Sequence, residues 1–510
     1  MHIFLGMISN FSANVISSFL SFVSRTVFIY YLGAEYLGYS GLLNNIFGFL
    51  SIAELGIGTA ITFSLYEPLA QKDYHKVSIL MSLYKRCYYL IALFILILGI
   101  LFLPFLDFFI QSSQRPDNLE IIYFLFLLNI VINYFFSYKI ALLGADQRGY
   151  KIVHIQIIGN IATIFMQIVS LCVFQNYIIY LIVQIIFSNL SLIIQASYVE
   201  KMYNIDFNCR EKLCKEDKKE IIKNIKSLLI LKLGDVCVNS TDNLIISKFI
   251  NLSTVGVYSN YIMIRDMVNG YIKSVFSNMT SSFGNLVVSD SKEKQLAMFE
   301  NLLFLSFWIY CFEAVCLFVL YNPFMRLWLN NENFIFSIDV VFLIVINNFF
   351  TGMRIPLITI KNAAGLYYED RVVPFVFAIV NLVVSLFLVK KIGIAGVIIG
   401  TIIGSFSLAD WYRPKVIYNR LFNKSLKVYL SKYIKYILLA IFEMFIAYQI
   451  ASIKVSDFLV TQFIFQMVIA ISIPNIINFC IFHNSKEFTY LKNVLINIFS
   501  IIKEKIKRNK

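Results

Sequence analysis

Long apolar runs separated by short polar stretches recur from one end of the chain to the other. A helix needs roughly 20 such residues to cross about 30 Å of hydrocarbon. The pattern predicts spans near 8–31, 39–65, 84–106, 119–143, 152–174 and 177–199. After a charged stretch come spans near 227–249, 255–282, 297–320, 338–360, 372–389 and 393–411, with a last pair near 434–452 and 457–481. That makes about fourteen, and an even number returns the chain to the side on which it began. The expected fold class is all-α, a polytopic membrane protein. Its expected parts are a six-helix lobe at 1–200, a basic linker loop at 201–226, a second six-helix lobe at 227–432, an additional helix pair at 433–482 and a basic tail at 483–510. The stretch Met1–Ile8 lacks the basic region and small-residue cleavage site of a removable signal, so none is expected.

Composition agrees with the pattern. The 510 residues are 59% hydrophobic and 15% charged, where a soluble domain is about a quarter charged. The net charge of +14 has a simple distribution. Alternate loops on one side hold 34 Lys and Arg and those on the other side hold 6. Basic residues gather on the cytoplasmic face, which puts both termini in the cytoplasm and accounts for the charge without nucleic acid. The tail from Tyr490 mixes apolar and basic residues and can lie on the inner leaflet as an amphipathic helix.

The two groups of six spans look like a duplication. An offset of 218 lays Gly38 on Gly256 and Leu32 on Ile250, with element lengths matching better than residues. Halves of even span number share one orientation, so the expected relation is a parallel repeat about an axis along the membrane normal, the plan of alternating-access transporters. Two near-symmetric helix pairs, each carrying a deep arginine, suggest a cationic central cavity.

Polar residues line up on single faces within the spans. In the first, Asn10, Asn14, Ser17, Ser21 and Arg25 recur at spacings of three and four, one side of a helix. Small polar side chains often join membrane helices, but a mid-span arginine is costly and faces water or a partner. Two readings fit. Either this face lines a water-filled cavity and Arg25 binds cargo, or Arg25 is half of a structural ion pair with Glu54. Glu54, in the second span with Asn44, Ser51, Gly58 and Thr62, equally fits a coupling-ion site or a wet interface. The seventh span carries Lys232, Asp235, Asn239 and Asp242, of which the first two can snorkel. The eighth carries Arg265, Asn269 and Lys273 on one face, with Asp266 placed to neutralise Arg265 locally. The candidate phosphate ligands are Arg25, Arg265, Lys273 and Lys232. The candidate coupling groups are Glu54, Asp242 and Asp235, and Asn10, Asn14, Ser17, Ser21, Asn239 and Asn269 form the candidate polar lining. A cationic cavity of this kind suits a phosphorylated cargo, which arginine binds by charge and paired hydrogen bonds. Glu300, Glu313 and Glu443 are lone acids in later spans, and Arg354 stands near the inner end of the tenth.

Other chemistry is sparse. The eight cysteines lie mostly in apolar runs, Cys209 and Cys214 fit no zinc spacing, and the four histidines form no ligand cluster. No resident metal or cofactor is expected. Gly396, Gly400 and Gly404 fall on one face at the spacing of close helix packing.

Three blocks carry a family resemblance. The first runs from Leu32-Gly33-Ala34-Glu35-Tyr36-Leu37-Gly38 through Ala53-Glu54-Leu55-Gly56-Ile57-Gly58 to Tyr66-Glu67-Pro68-Leu69-Ala70. The second is Asn239-Ser240-Thr241-Asp242-Asn243 with Gly256-Val257-Tyr258-Ser259-Asn260-Tyr261. The third runs from Arg354 through Lys361-Asn362-Ala363-Ala364-Gly365-Leu366 and Asp370-Arg371 to Trp411-Tyr412-Arg413-Pro414. Together, over roughly residues 5–425, the chain resembles the polysaccharide-specific transporters, or Wzx-type flippases, of the multidrug/oligosaccharidyl-lipid/polysaccharide flippase superfamily. The resemblance implies two six-helix lobes around a central cavity plus an extra helix pair, in a bacterial inner membrane protein that moves undecaprenyl-pyrophosphate-linked sugar repeat units to the outer leaflet for O-antigen, capsule or exopolysaccharide synthesis. It also implies proton or sodium coupling, contact with membrane lipids, and a pathway shared with a polysaccharide polymerase and glycosyltransferases. Arg25 fits the cationic habit of the lipid-linked branches. No nucleotide-binding motif is present. A drug/cation antiporter would want a net acidic cavity, and a membrane polymerase or glycosyltransferase a larger external domain than the stretches near 107–118 and 321–337.

Overall fold

In the computed structural model every described stretch of regular structure is helical. The description covers residues 2–496 except 55, 111–115, 117, 147, 204, 212, 290, 365, 367–369 and 495, and excludes the side chains of 2–14, 52–53, 220, 224, 226–240, 274–275 and 277–289. Most of the basic tail therefore lies outside it.

The first helix, α1 (His2–Leu50), is two arms joined at Gly33, whose φ of 77° is open to glycine at little cost. The predicted second span, 39–65, is not one helix. The second arm of α1 ends at Leu50, a 3₁₀ turn occupies Ser51–Glu54, Gly56 adopts φ 73°, and α2 (Ile57–Gln71) follows. The apolar run hides this break, because glycine changes the backbone without changing hydropathy. Next come α3 (Tyr74–Phe102), α4 (Leu106–Phe109), α5 (Leu119–Ala145), α6 (Val153–Phe174) and α7 (Tyr177–Met202). Asp73 caps α3 by accepting from the Lys76 N–H at 2.9 Å, and Asn176 caps α7 in the same manner.

The predicted linker loop at 201–226 is only half a loop. Its second part opens α8 (Lys215–Phe249), with Glu216 and Asp217 in the first turn, where acids stabilise a helix. Then follow α9 (Leu252–Ser289), α10 (Lys292–Leu329), α11 (Ile338–Met353), α12 (Ile355–Ala363), α13 (Val373–Ile392), α14 (Ile394–Leu408), α15 (Tyr412–Ile417), α16 (Leu426–Ala451) and α17 (Leu459–Phe482). Eleven helical stretches among the described residues are long and apolar enough to cross a membrane. The protein is a multi-pass membrane protein.

Packing divides the chain into Met1–Asn260 and Tyr261–Lys510. In the first unit α1 packs on α6 and α8, α3 on α5, and α7 on both α5 and α6. The helix α8, which hydropathy groups with the second lobe, packs here against α1 and α2. Apolar side chains point outward as well as inward. On α3, Leu90, Phe94, Ile97 and Leu101 form an exposed stripe opposite the buried Ile91, Ala92, Ile95 and Gly99, as a lipid-facing helix requires.

In the second unit the axis is α10. Its most apolar window is 67% buried, and α11, α16 and α17 pack around it. Phe307 stacks on Tyr436 with centroids 4.2 Å apart, and Phe482 meets both rings. The α13–α14 hairpin turns at Gly393 (φ 59°). A Cβ at Gly396, Gly400 or Gly404 would lie under 3 Å from atoms of α13, so the three glycines serve close packing as their spacing implied.

Candidate functional site

The arginine in the first arm of α1 is held by neutral groups. Arg25 Nε donates to Asn260 Oδ1 at 2.8 Å, and Nη2 donates to Ser259 Oγ. Ser259 in turn donates to the Gly256 carbonyl at 2.7 Å. A guanidinium has five N–H donors, and these bonds use two. Among the described residues no carboxylate pairs with Arg25.

Glu54 has other company. Its Oε1 accepts from the Tyr88 hydroxyl at 2.8 Å, and Tyr84 donates to Tyr88 at 3.3 Å. An ion pair between Arg25 and Glu54 is therefore not formed, and that reading of Arg25 is corrected. Gly58 makes room for the cluster, since a Cβ there would lie 2.4 Å from the Tyr88 hydroxyl and 2.7 Å from Glu54 Oε1.

The backbone that presents Ser259 and Asn260 to Arg25 is fixed by two glycines. A Cβ at Gly38 would stand 2.0 Å from the Leu252 carbonyl oxygen, and one at Gly256 would stand 2.1 Å from the Ala34 carbonyl oxygen. Under the 218-residue offset Ala34 corresponds to Leu252 and Gly38 to Gly256, so the two contacts are images of each other. The same offset takes Arg25 to Asn243 and Ser259 to Gly41. Asn243 Nδ2 does lie 3.8 Å from the Cβ position of Gly41. The segments thus meet as an isologous pair.

The remaining sequence candidates are dispersed. Ser17 is half-buried and Ser21 exposed, while the side chains of Asn10, Asn14, Lys232, Asp235 and Asn239 lie outside the description. Asp242 is half-buried. In the second unit Arg265 donates twice to Asp266 Oδ1, at 2.8 and 3.0 Å, the local neutralisation its neighbour allowed. Lys273 is exposed. Asn269 is buried, donating to Asn348 at 2.7 Å and accepting from Tyr310 at 2.9 Å.

Sequence reasoning passed over Ser259 and Asn260, although they sit inside the second resemblance block. It also left the charges of the third block unpaired. Arg354 donates to Asp410, which also accepts from Tyr433. Asp370 takes Lys361 at 2.8 Å and Arg413 through two bonds of 2.8 and 3.0 Å. These charges are tied to one another, so Arg354 is a structural partner here.

Residues 32–332, more than half of the chain, match the family described as polysaccharide biosynthesis protein. The chain belongs to that family. The matched stretch includes Glu54, both contact glycines, Ser259 and Asn260, and it begins after Arg25. No curated protein matches the chain. Among solved structures, the lipid II flippase MurJ in an inward closed conformation is similar over 94% of this chain and 99% of its own, at 14% identity and a TM-score of 0.66. The Vibrio cholerae MATE transporter VcmN, in a mutant form, is similar over 83% and 99%, at 15% identity and 0.58. An inward-facing multidrug resistance MATE family transporter of the MOP superfamily covers 79% and 95%, at 14% and 0.57. This member of the polysaccharide biosynthesis family therefore has the fold shared by that flippase and those MATE transporters.

Proposed function

We propose that this protein is a flippase for undecaprenyl-pyrophosphate-linked oligosaccharide repeat units, carrying them from the cytoplasmic to the outer leaflet of a bacterial inner membrane. The observation that carries the reading is Arg25, a cation within a membrane span whose hydrogen-bond partners are neutral. Such a charge is expensive in hydrocarbon unless an anion or water meets it, and a pyrophosphate offers the guanidinium several acceptors in bidentate geometry. Family membership supplies the polysaccharide pathway, and the fold supplies a frame for alternating access. Splitting α1 into its two arms and adding α8 and α9 to the other ten spans gives fourteen, with both termini cytoplasmic. A polysaccharide polymerase and glycosyltransferases of the same pathway are the expected functional neighbours.

The test is surface polysaccharide in a deletion strain, measured beside membrane abundance of each variant. Arg25→Ala should lose nearly all export at normal abundance. Arg25→Lys keeps the charge without the planar fork and should retain part of it. Normal export by Arg25→Ala would overturn the cargo assignment, and export of drugs or cations in its place would point to an antiporter.

A further inference from the structure

Two acids buried within the second unit have different surroundings. Glu443 of α16 is fully enclosed. Its Oε2 accepts from the Cys311 thiol at 3.0 Å and from the Asn478 amide at 3.4 Å, which fastens α16 and α17 to α10. Glu313 of α10 is 3% exposed, and among the described residues neither of its oxygens reaches a hydrogen-bond partner of sound geometry.

A polar chain leads toward Glu313. One turn away on the same helix face, the Tyr310 hydroxyl donates to Asn269 Oδ1 of α9, and Asn269 Nδ2 donates to Asn348 Oδ1 of α11. Asn348 adjoins Glu313 in turn. The charged groups that act on the carboxyl from α9 are Arg265, Lys273 and Asp266. Tyr310, Cys316 and Tyr321 are the titratable neighbours on its own helix. Among the described residues, α11 offers it the neutral amide of Asn348.

An ionised carboxylate in a buried interior costs several kcal/mol unless donors or cations meet it closely. A resident metal ion fits poorly. Hard cations want several oxygen ligands, whereas the Oδ1 atoms of Asn269 and Asn348 already accept bonds and two cationic side chains act on the site. A small shift of α9 or α11 that drew the Asn348 amide or a cation closer to the carboxyl would stabilise the ionised form. We propose that Glu313 is a proton-exchange site of the second unit, exchanging a proton with water when α9 and α11 rearrange. The step is simple dissociation of a carboxylic acid, with no redox partner. Its use as the coupling event of transport rests on the flippase reading above.

Infrared difference spectroscopy on the purified protein in phosphatidylglycerol and phosphatidylethanolamine vesicles, stepped in pH, tests it directly. The expected result is a protonated-carboxyl C=O band that fades as pH rises, disappears in Glu313→Gln, shifts in Glu313→Asp and persists in Glu443→Gln. A band untouched by either Glu313 substitution, or one that ignores pH in the wild type, would overturn the proposal. Should Glu313→Gln not fold, Glu313→Asp alone decides between those outcomes. Wild-type vesicles that fail to flip a lipid-linked oligosaccharide would sink the flippase reading and leave the band's assignment standing.

Discussion

The segment from Arg25 to Gly41 and the segment from Asn243 to Ser259 meet through mirrored contacts, yet they differ in charge. At one end of the pairing an arginine meets a serine. At the other an asparagine stands beside a glycine. Backbone approach is equal on both sides, 2.0 Å at Gly38 against 2.1 Å at Gly256 for a Cβ that is not there. The two segments share the shape of the crossing, and of the paired positions 25 and 243 only the first is a cation. Two facing arginines would repel in a poorly screened setting. A single one gives the crossing a polarity.

The sharpest way to break the comparison is to fill a glycine. Gly38→Ala and Gly256→Ala each drive a methyl into a backbone carbonyl, and overpacking of this kind costs about 1–3 kcal/mol. Both should lower the unfolding temperature in detergent and the amount of protein in the membrane, and by similar margins. A well-tolerated alanine at one position alone would show that the contact is not reciprocal.

Moving the charge has a smaller effect on stability and a clear one on export. The double variant Arg25→Asn, Asn243→Arg puts the cation at the image position, where Gly41 offers no hydroxyl. A charge-assisted hydrogen bond is worth about 1.5–3 kcal/mol, so export should stay at roughly a tenth of wild type or below. Full recovery would mean that charge alone matters and the Ser259 and Asn260 cradle does not.

The mildest test is Gly41→Ala. Its Cβ would lie 3.2 Å from Val255 Cγ1, a contact that a rotating side chain can ease, while alanine gains roughly 0.5–1 kcal/mol over glycine in a helix. Abundance and unfolding temperature should hardly move. A loss as large as that of Gly38→Ala would place the tight part of the crossing one turn further along.

Hydropathy made the helical membrane fold plain, because crossing a bilayer leaves little freedom in length or composition. The offset of Gly38 and Gly256 was also legible, since close approach demands glycine. What the chain did not announce is pairing at a distance. Ser259 and Asn260 look like any polar helix residues until Arg25, more than 230 positions earlier, is set beside them. The break at Ser51–Gly56 was hidden by its own apolar neighbours. Glu313 and Glu443 were alike as lone acids in apolar runs, and only the thiol and amide around Glu443 tell them apart.

The bond of Asp370 to Arg413 brackets the α13–α14 hairpin, as does that of Arg354 to Asp410, and Lys361 joins Asp370 on the N-terminal side. During synthesis Lys361 and Asp370 emerge well before Asp410 and Arg413. The hairpin between them must be threaded into the bilayer before the set can close. Arg413 thus arrives as the last piece of a clasp that closes only around a completed hairpin. A chain stalled or misinserted in this region would display Asp370 without its full complement of cations, a local charge defect by which unfinished protein differs from finished protein before any cargo is met.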